Sequence, residues 1–260
     1  MMRRGIRILA SLLCLGILTG CTCVEASSIQ SDEKNHAVRM EEPEEREDAE
    51  TEDAVSIQLS GTSVTAEGTG IAVTDGQLVI TAGGTYQLSG TGSLPIVIET
   101  QESVRLVFNG VSITAESGPA IDAQQAGEVI LSLRTSTANS LSGTVGILCG
   151  SGLEISGGGA LAVTASEGNG MEAAGSVELH NAMVTVQASY DGICCTGNLE
   201  IRDCILSVNA KETGLRAGTD DVPSDIVMRS SVITLTAPKD MHAGGEIIQE
   251  DCVVMNLSNG

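Results

Sequence analysis

Four segments of the chain, ALAVTA from Ala160, MVTVQA from Met183, ILSVNA from Ile205 and VITLTA from Val232, agree position by position, and this agreement limits the fold more than any other feature. The second residue of each is aliphatic (Leu161, Val184, Leu206, Ile233), and so is the fourth (Val163, Val186, Val208, Leu235). Between them stand Ala162, Thr185, Ser207 and Thr234, then Thr164, Gln187, Asn209 and Thr236. Alternation with a period of two turns the first set inward and the second outward. Because the residue classes also match between copies, each strand has a counterpart one repeat later. A parallel β-helix stacks strands in this way.

The repeat extends well beyond these four segments. Val104, Val129, Leu153, Val177, Leu199 and Ile226 each open a similar strand, at spacings of 25, 24, 24, 22 and 27 residues. Short apolar alternations broken by Gly, Ser, Thr, Asn and Asp run from Ala54 onward with no helical period, so the chain reads as all-β. A repeat of about 23 residues gives about eight or nine rungs, each rising about 4.8 Å. Leucine-rich repeats are the main competitor, but they need one strand and a helical segment per repeat, whereas each repeat here has at least two strands. A narrow aliphatic core explains how a chain with 1% aromatic residues and no Trp buries enough surface to fold.

The first 54 residues have a different character. Arg3, Arg4 and Arg7 precede the apolar run Ile8 to Leu18, which is short for a membrane span and has the order of an export signal. The segment Leu18-Thr19-Gly20-Cys21 resembles the lipobox of bacterial lipoproteins, which implies lipidation at Cys21 and attachment to the outer face of a bacterial membrane; the alternative is an ordinary signal peptide. Residues 1–28 are assigned to this signal and anchor. Residues 29–54 form an acidic tether, with eleven acidic and three basic residues between Ser31 and Asp53, too polar to fold alone. The formal net charge of -21 and the lack of a basic patch argue against nucleic acid as partner. Residues 55–260 are the β-helix.

Three phrases in that domain, ITAGGTYQLSG at Ile80 to Gly90, VRLVFNGVSIT at Val104 to Thr114 and SYDGI at Ser189 to Ile193, follow one another in a specific order. From Ile57 to Asn256 the chain resembles the bacterial carbohydrate-binding β-helix proteins first recognised in cellulose-degrading clostridia, which are related in architecture to pectate lyases. The resemblance implies a right-handed parallel β-helix that binds plant-type polysaccharides, with calcium held by acidic turn residues.

Matching the family's Asp-Asp-Gly-Ile turn to this sequence gives the column Asn169, Asp191, Thr213 and Asp240, with Val145 and Pro119 before it. Asp191 matches fully and Thr213 breaks the pattern. Asn169 and Asp191 on rungs about 4.8 Å apart are spaced to flank one Ca²⁺, with Glu167 and Glu212 at the edge and main-chain carbonyls completing six to eight oxygens. The competing reading is that Asp-Gly and Asn-Gly are simply favoured turn sequences.

The cysteines carry less chemistry than their number suggests. Cys149 and Cys195 share a column with Ala173 between them, two rungs apart and beyond disulfide reach. Cys204 stacks with Ala182 and Ser231, and adjacent Cys194 and Cys195 point to opposite sides. None has zinc spacing, so they read as small packed residues. A disulfide involving Cys252 or Cys23 stays open.

Three functions compete. The first is non-catalytic polysaccharide binding, with Thr185, Gln187, Ser207, Asn209 and Tyr190 on the outward ladder and calcium bridging acidic glycans. The second is a calcium-dependent lyase, which needs an Arg or Lys base near the metal; Arg202, Lys211 and Arg216 share rungs with Asp191 but join no cluster of acids. The third is a structural rod that binds a protein partner. A stripe of Ser156, His180, Arg202 and Arg229 runs beside Glu154, Glu178 and Glu200 and reads as a self-compensating ladder. The strand edge of the last rung is a place for an oligomeric contact.

Overall fold

The computed structural model describes residues 53–257, all β and irregular structure with no helix. The expected signal, the lipidation site Cys21 and nearly all of the acidic tether lie outside the described residues. The chain winds into a parallel β-solenoid of about eight turns with three strands per turn.

The first face stacks Val129–Leu133, Leu153–Ser156, Val177–His180, Leu199–Arg202, Ile226–Arg229 and Ile247–Glu250. Ala138–Gly143, Ala160–Ala165, Met183–Ala188, Ile205–Ala210, Val232–Thr236 and Val253–Asn256 form the second. The third holds Ile121–Ala123, Ile147–Cys149, Met171–Ala173, Ile193–Cys195, Thr213–Ala217 and Lys239–Ala243. The long strand Val104–Thr114 pairs with the first face through Val104 to Phe108 and with the second through Ser112 to Thr114. It therefore joins those two faces into one 16-stranded sheet, and the third face is a separate 9-stranded sheet.

The columns expected from the sequence are the observed ones. Val104, Val129, Leu153, Val177, Leu199 and Ile226 pair in succession, as do Leu161, Val184, Leu206 and Ile233. All ten of these residues are at most 2% exposed, so the inward columns form one continuous core. Asn139 heads the second of those columns and is buried. It is satisfied there: its side-chain oxygen accepts from Val111 N at 2.9 Å and its amide donates to Thr137 Oγ1 and Ala160 O at 3.1 Å each.

Corners set the turn geometry. Between the first and second faces Asn181, Asp203, Ser230 and Asp251 succeed one another with φ of 49°, 54°, 48° and 52°. Only short polar residues and Gly enter this left-handed region cheaply. The corner between the second and third faces imposes a different demand, close approach. Gly146, Gly170 and Gly192 sit where a Cβ would run into the valine of the next rung and the carbonyl of the following glycine.

At the start of the solenoid, Val55–Gly61 pairs antiparallel with Ser63–Glu67, and Ile71–Thr74 with Gln77–Ile80. Two hairpins thus fold the parallel edges back on themselves. At the other end of the described residues the stack is open, and Ile247 is 45% exposed although its counterpart Ile226 is fully buried.

Candidate functional site

The outward residues of the second face form columns in register over successive rungs. One column runs Ser140, Ala162, Thr185, Ser207, Thr234, and the next runs Ser142, Thr164, Gln187, Asn209, Thr236. Thr185, Gln187, Ser207 and Asn209 are all exposed, so four of the predicted sugar contacts lie side by side. Tyr190 stands apart from them at the corner toward the third face, 56% exposed.

A third outward column was missed in the sequence reading: Ala160, Met183, Ile205, Val232 and Val253. The alternation already contained it, since the first residue of each strand shares the outward side with the third and fifth.

The third face is built differently. Asp191 is 7% exposed, and its backbone N donates to Asn169 Oδ1 at 3.0 Å. Its own Oδ1 accepts from Thr213 N at 2.9 Å, while Oδ2 accepts from Arg216 Nε at 2.7 Å and lies 2.6 Å from Arg216 Nη2. Asn169 and Asp191 therefore each cap the backbone N–H of the next rung in this column. The corner between the third and first faces repeats the device, with Ser176 accepting from Asn198 N, Asn198 from Asp225 N and Asp225 from Glu246 N.

One expectation needs correcting here. Thr213 pairs with Lys239, so Asp240 lies in the glycine column after Gly214 and is not in line with Asp191. The corner is one residue shorter in that rung, because Pro238 alone spans what Lys211 and Glu212 span one rung earlier. Arg216, expected to join no cluster of acids, pairs with the single carboxylate of Asp191 through two guanidinium nitrogens.

The donor set around Asp191 does not fit a calcium ion. Both of its carboxylate oxygens already accept N–H groups, and a cation there would sit against the Arg216 guanidinium. Asn169 Oδ1 is likewise taken by Asp191 N, and its amide donates to Glu172 Oε2 at 2.8 Å. Glu167 and Glu212 are both exposed and precede this column at different positions, Glu212 beside Thr213 and Glu167 two residues before Asn169. Burial opposes the charge on Arg216, yet the combined pull of Asp191 and the Cys194 sulfur raises its pKa above the ordinary guanidinium value.

A cleft of about 330 Å³ lies along this face, lined by Gln124, Glu172, Cys194, Thr196, Arg216 and Thr219. Part of its wall comes from Gly218 to Asp225, the insertion behind the 27-residue spacing, pinned by a Thr219 to Val222 bridge. His242 Nε2 approaches Asp220 Oδ1 of that loop at 3.6 Å.

All five cysteines among the described residues are free, and four are buried. Burial pushes the Cys149 thiol up to about 12, with Asp122 adding to it. It does the same to Cys194, up to about 12, against the opposing charge of Arg216. Cys195 rises to about 11, also through burial. Such thiols are inert packing groups at neutral pH.

The first face carries the self-compensating ladder expected of it. His180 meets Glu178 at 3.2 Å, Arg202 pairs with Glu200, and Arg229 bridges Glu200 at 3.4 Å and Glu250 at 2.8 Å.

Known proteins agree with this architecture. A gadolinium derivative of the polysaccharide lyase-like protein from C. thermocellum superimposes with a TM-score of 0.62 at 20% sequence identity, over 78% of this chain and 96% of that one. At that identity the likeness speaks to the fold alone. No curated protein matches the chain. The family described as carbohydrate-binding domain-containing protein matches residues 74–256, which takes in all three faces of the solenoid, and the chain belongs to that family.

Proposed function

We propose that this chain is a non-catalytic polysaccharide-binding protein, held at the outer face of a bacterial membrane by a lipid on Cys21, with the second face as its glycan-binding surface. The observation that carries the reading is the ladder of Thr185, Gln187, Ser207 and Asn209, repeated on adjacent rungs in a member of a carbohydrate-binding family. Hydroxyl and amide side chains exposed in register present donors and acceptors at a regular interval, which suits a polymer of hydroxylated rings.

Binding on this face needs no metal bridge, and the anchored oxygens of Asn169 and Asp191 are committed to N–H groups. Removing a proton next to a uronate carboxyl group calls for a base that gives up its own proton. Arg216, the cation closest to Asp191, is held in its charged form by that carboxylate.

The test is retention of the purified full chain on insoluble polysaccharides, with calcium and with chelator, alongside absorbance of unsaturated products from several uronate polymers at alkaline pH. Retention that survives the chelator, with no product, supports the reading. Retention lost in chelator places the glycan on a calcium site elsewhere, and product formation makes the protein a lyase. Labelling of cells with a fatty-acid probe, abolished by Cys21→Ala, tests the anchor.

A further inference from the structure

We infer that the second face is selective for an uncharged, extended glycan lying along the solenoid axis, and that the missed column of Met183, Ile205, Val232 and Val253 is the apolar rail that holds it. This inference rests on the polysaccharide-binding reading above and names the ligand class and the residues that select it.

Charge is the first ground. In a chain of formal charge -21, no outward residue of the second face from Ala138 to Met255 carries a charge. The first face is lined with Glu and Arg, and the third carries Glu172, Arg216 and His242. A polyanion approaching the second face would meet no compensating cation there and the repulsion of the whole domain.

Exposure is the second. Met183, Ile205, Val232 and Val253 are 50%, 54%, 41% and 55% exposed. Each stands directly over the one before, so the apolar surface is a continuous strip and not a scatter of single residues. A pyranose chain has apolar C–H faces and hydroxyl edges. The rail and the nearest polar column, Ser207 beside Ile205, are two residues apart along a strand, about 6.6 Å. That separation lets one sugar ring lay C–H groups on the rail while its hydroxyls reach the ladder.

Periodicity is the third. The face offers the same chemistry on every rung, about every 4.8 Å. An irregular protein surface gains no register from such a pattern, whereas a regular polymer gains one contact set per rung. The aliphatic rail supplies the apolar platform that a chain without Trp would otherwise lack on this face.

Native affinity electrophoresis of the full chain, in gels containing hydroxyethylcellulose or polygalacturonate and with chelator throughout, tests the inference. Wild type should be retarded by hydroxyethylcellulose and not by polygalacturonate. Ile205→Asp should weaken the apparent Kd by about tenfold or more. Because Asp is a poor strand residue, Ile205→Thr and Met183→Thr serve as the second variants, keeping strand propensity while shortening the rail, with thermal midpoints to verify folding. Glu172→Gln on the third face should bind as wild type does.

Retention by hydroxyethylcellulose that the rail variants leave unchanged overturns the inference while leaving polysaccharide binding intact, as does retardation by polygalacturonate alone. A wild type retained by no soluble or insoluble glycan fails both readings. If sedimentation shows that Ile205→Asp splits a dimer without altering retention, the rail is covered by a second copy and the inference falls.

Discussion

The second and third faces are made from the same repeat and stacked in the same register, yet they spend their polar groups differently. On the second face the polar side chains point to solvent while the strand backbones pair with one another, so those side chains are free for a ligand. At the entrance to the third face the polar side chains are consumed by the backbone: Asn169 and Asp191 each cap an N–H one rung on, and Arg216 is consumed by Asp191. Density of charged residues is therefore a poor guide to function in this solenoid. The plainer surface is the available one.

The contrast can be broken first at the glycine that brings the two faces together. Gly192→Ala should destabilise the domain by about 3 kcal/mol or more, because the added Cβ runs into the buried Val208 side chain and the Gly214 backbone carbonyl. Urea unfolding checks this, and a loss under about 1 kcal/mol would show that the corner relaxes.

A smaller loss is expected at Asp191. Asp191→Ala leaves Thr213 N without its acceptor and Arg216 without its partner, and should cost about 2 to 3 kcal/mol. Asp191→Asn should cost less, since an amide oxygen still accepts from Thr213 N. Both variants, once folded, should retain glycan as wild type does. Lost binding with unchanged stability would move the site from the second face to the third.

The buried thiols give a pH signature that belongs to the core and the third face alone. Their folded pKa values, about 12 for Cys149 and Cys194 and about 11 for Cys195, lie above the ordinary value of 9.0. The unfolded chain therefore releases these protons first as pH rises. Their stabilising contribution is complete below pH 9 and is lost progressively toward pH 12. Thermal midpoints should fall between pH 8 and pH 10, and less steeply in Cys149→Ala. Equal slopes would mean that other groups dominate.

The smallest effect is expected on the first face. Arg202→Ala removes an exposed ion pair with Glu200 and should change stability by no more than about 0.5 kcal/mol. A larger change would make that ladder structural.

Most of the fold was legible in the sequence because inward aliphatic columns repeat wherever the strands repeat. Cys149, Ala173 and Cys195 fall in one column on sequence spacing, and they pair in that order. Corners were harder to read, since their lengths vary while the strands on either side keep register. A one-residue contraction at Pro238 moved Asp240 out of the column assigned to it. The Asp191 to Arg216 pair was missed for a related reason: the two residues are 25 apart and meet only when a corner on one rung is laid against a strand on the next. The apolar rail was present in the alternation, but the first residue of each strand varies between Ala, Met, Ile and Val and so stands out less than the polar columns beside it.

The insertion from Gly218 to Asp225 has a practical consequence. The strands on either side of it pair with their neighbours in unbroken register, although this corner is several residues longer than the one before it. A stack held together by nearest neighbours tolerates new material at such a corner without retuning the rest. Homologous solenoids can therefore be expected to diversify by trading corner loops, and a designer could graft a recognition loop between Gly218 and Asp225 while keeping the second face untouched.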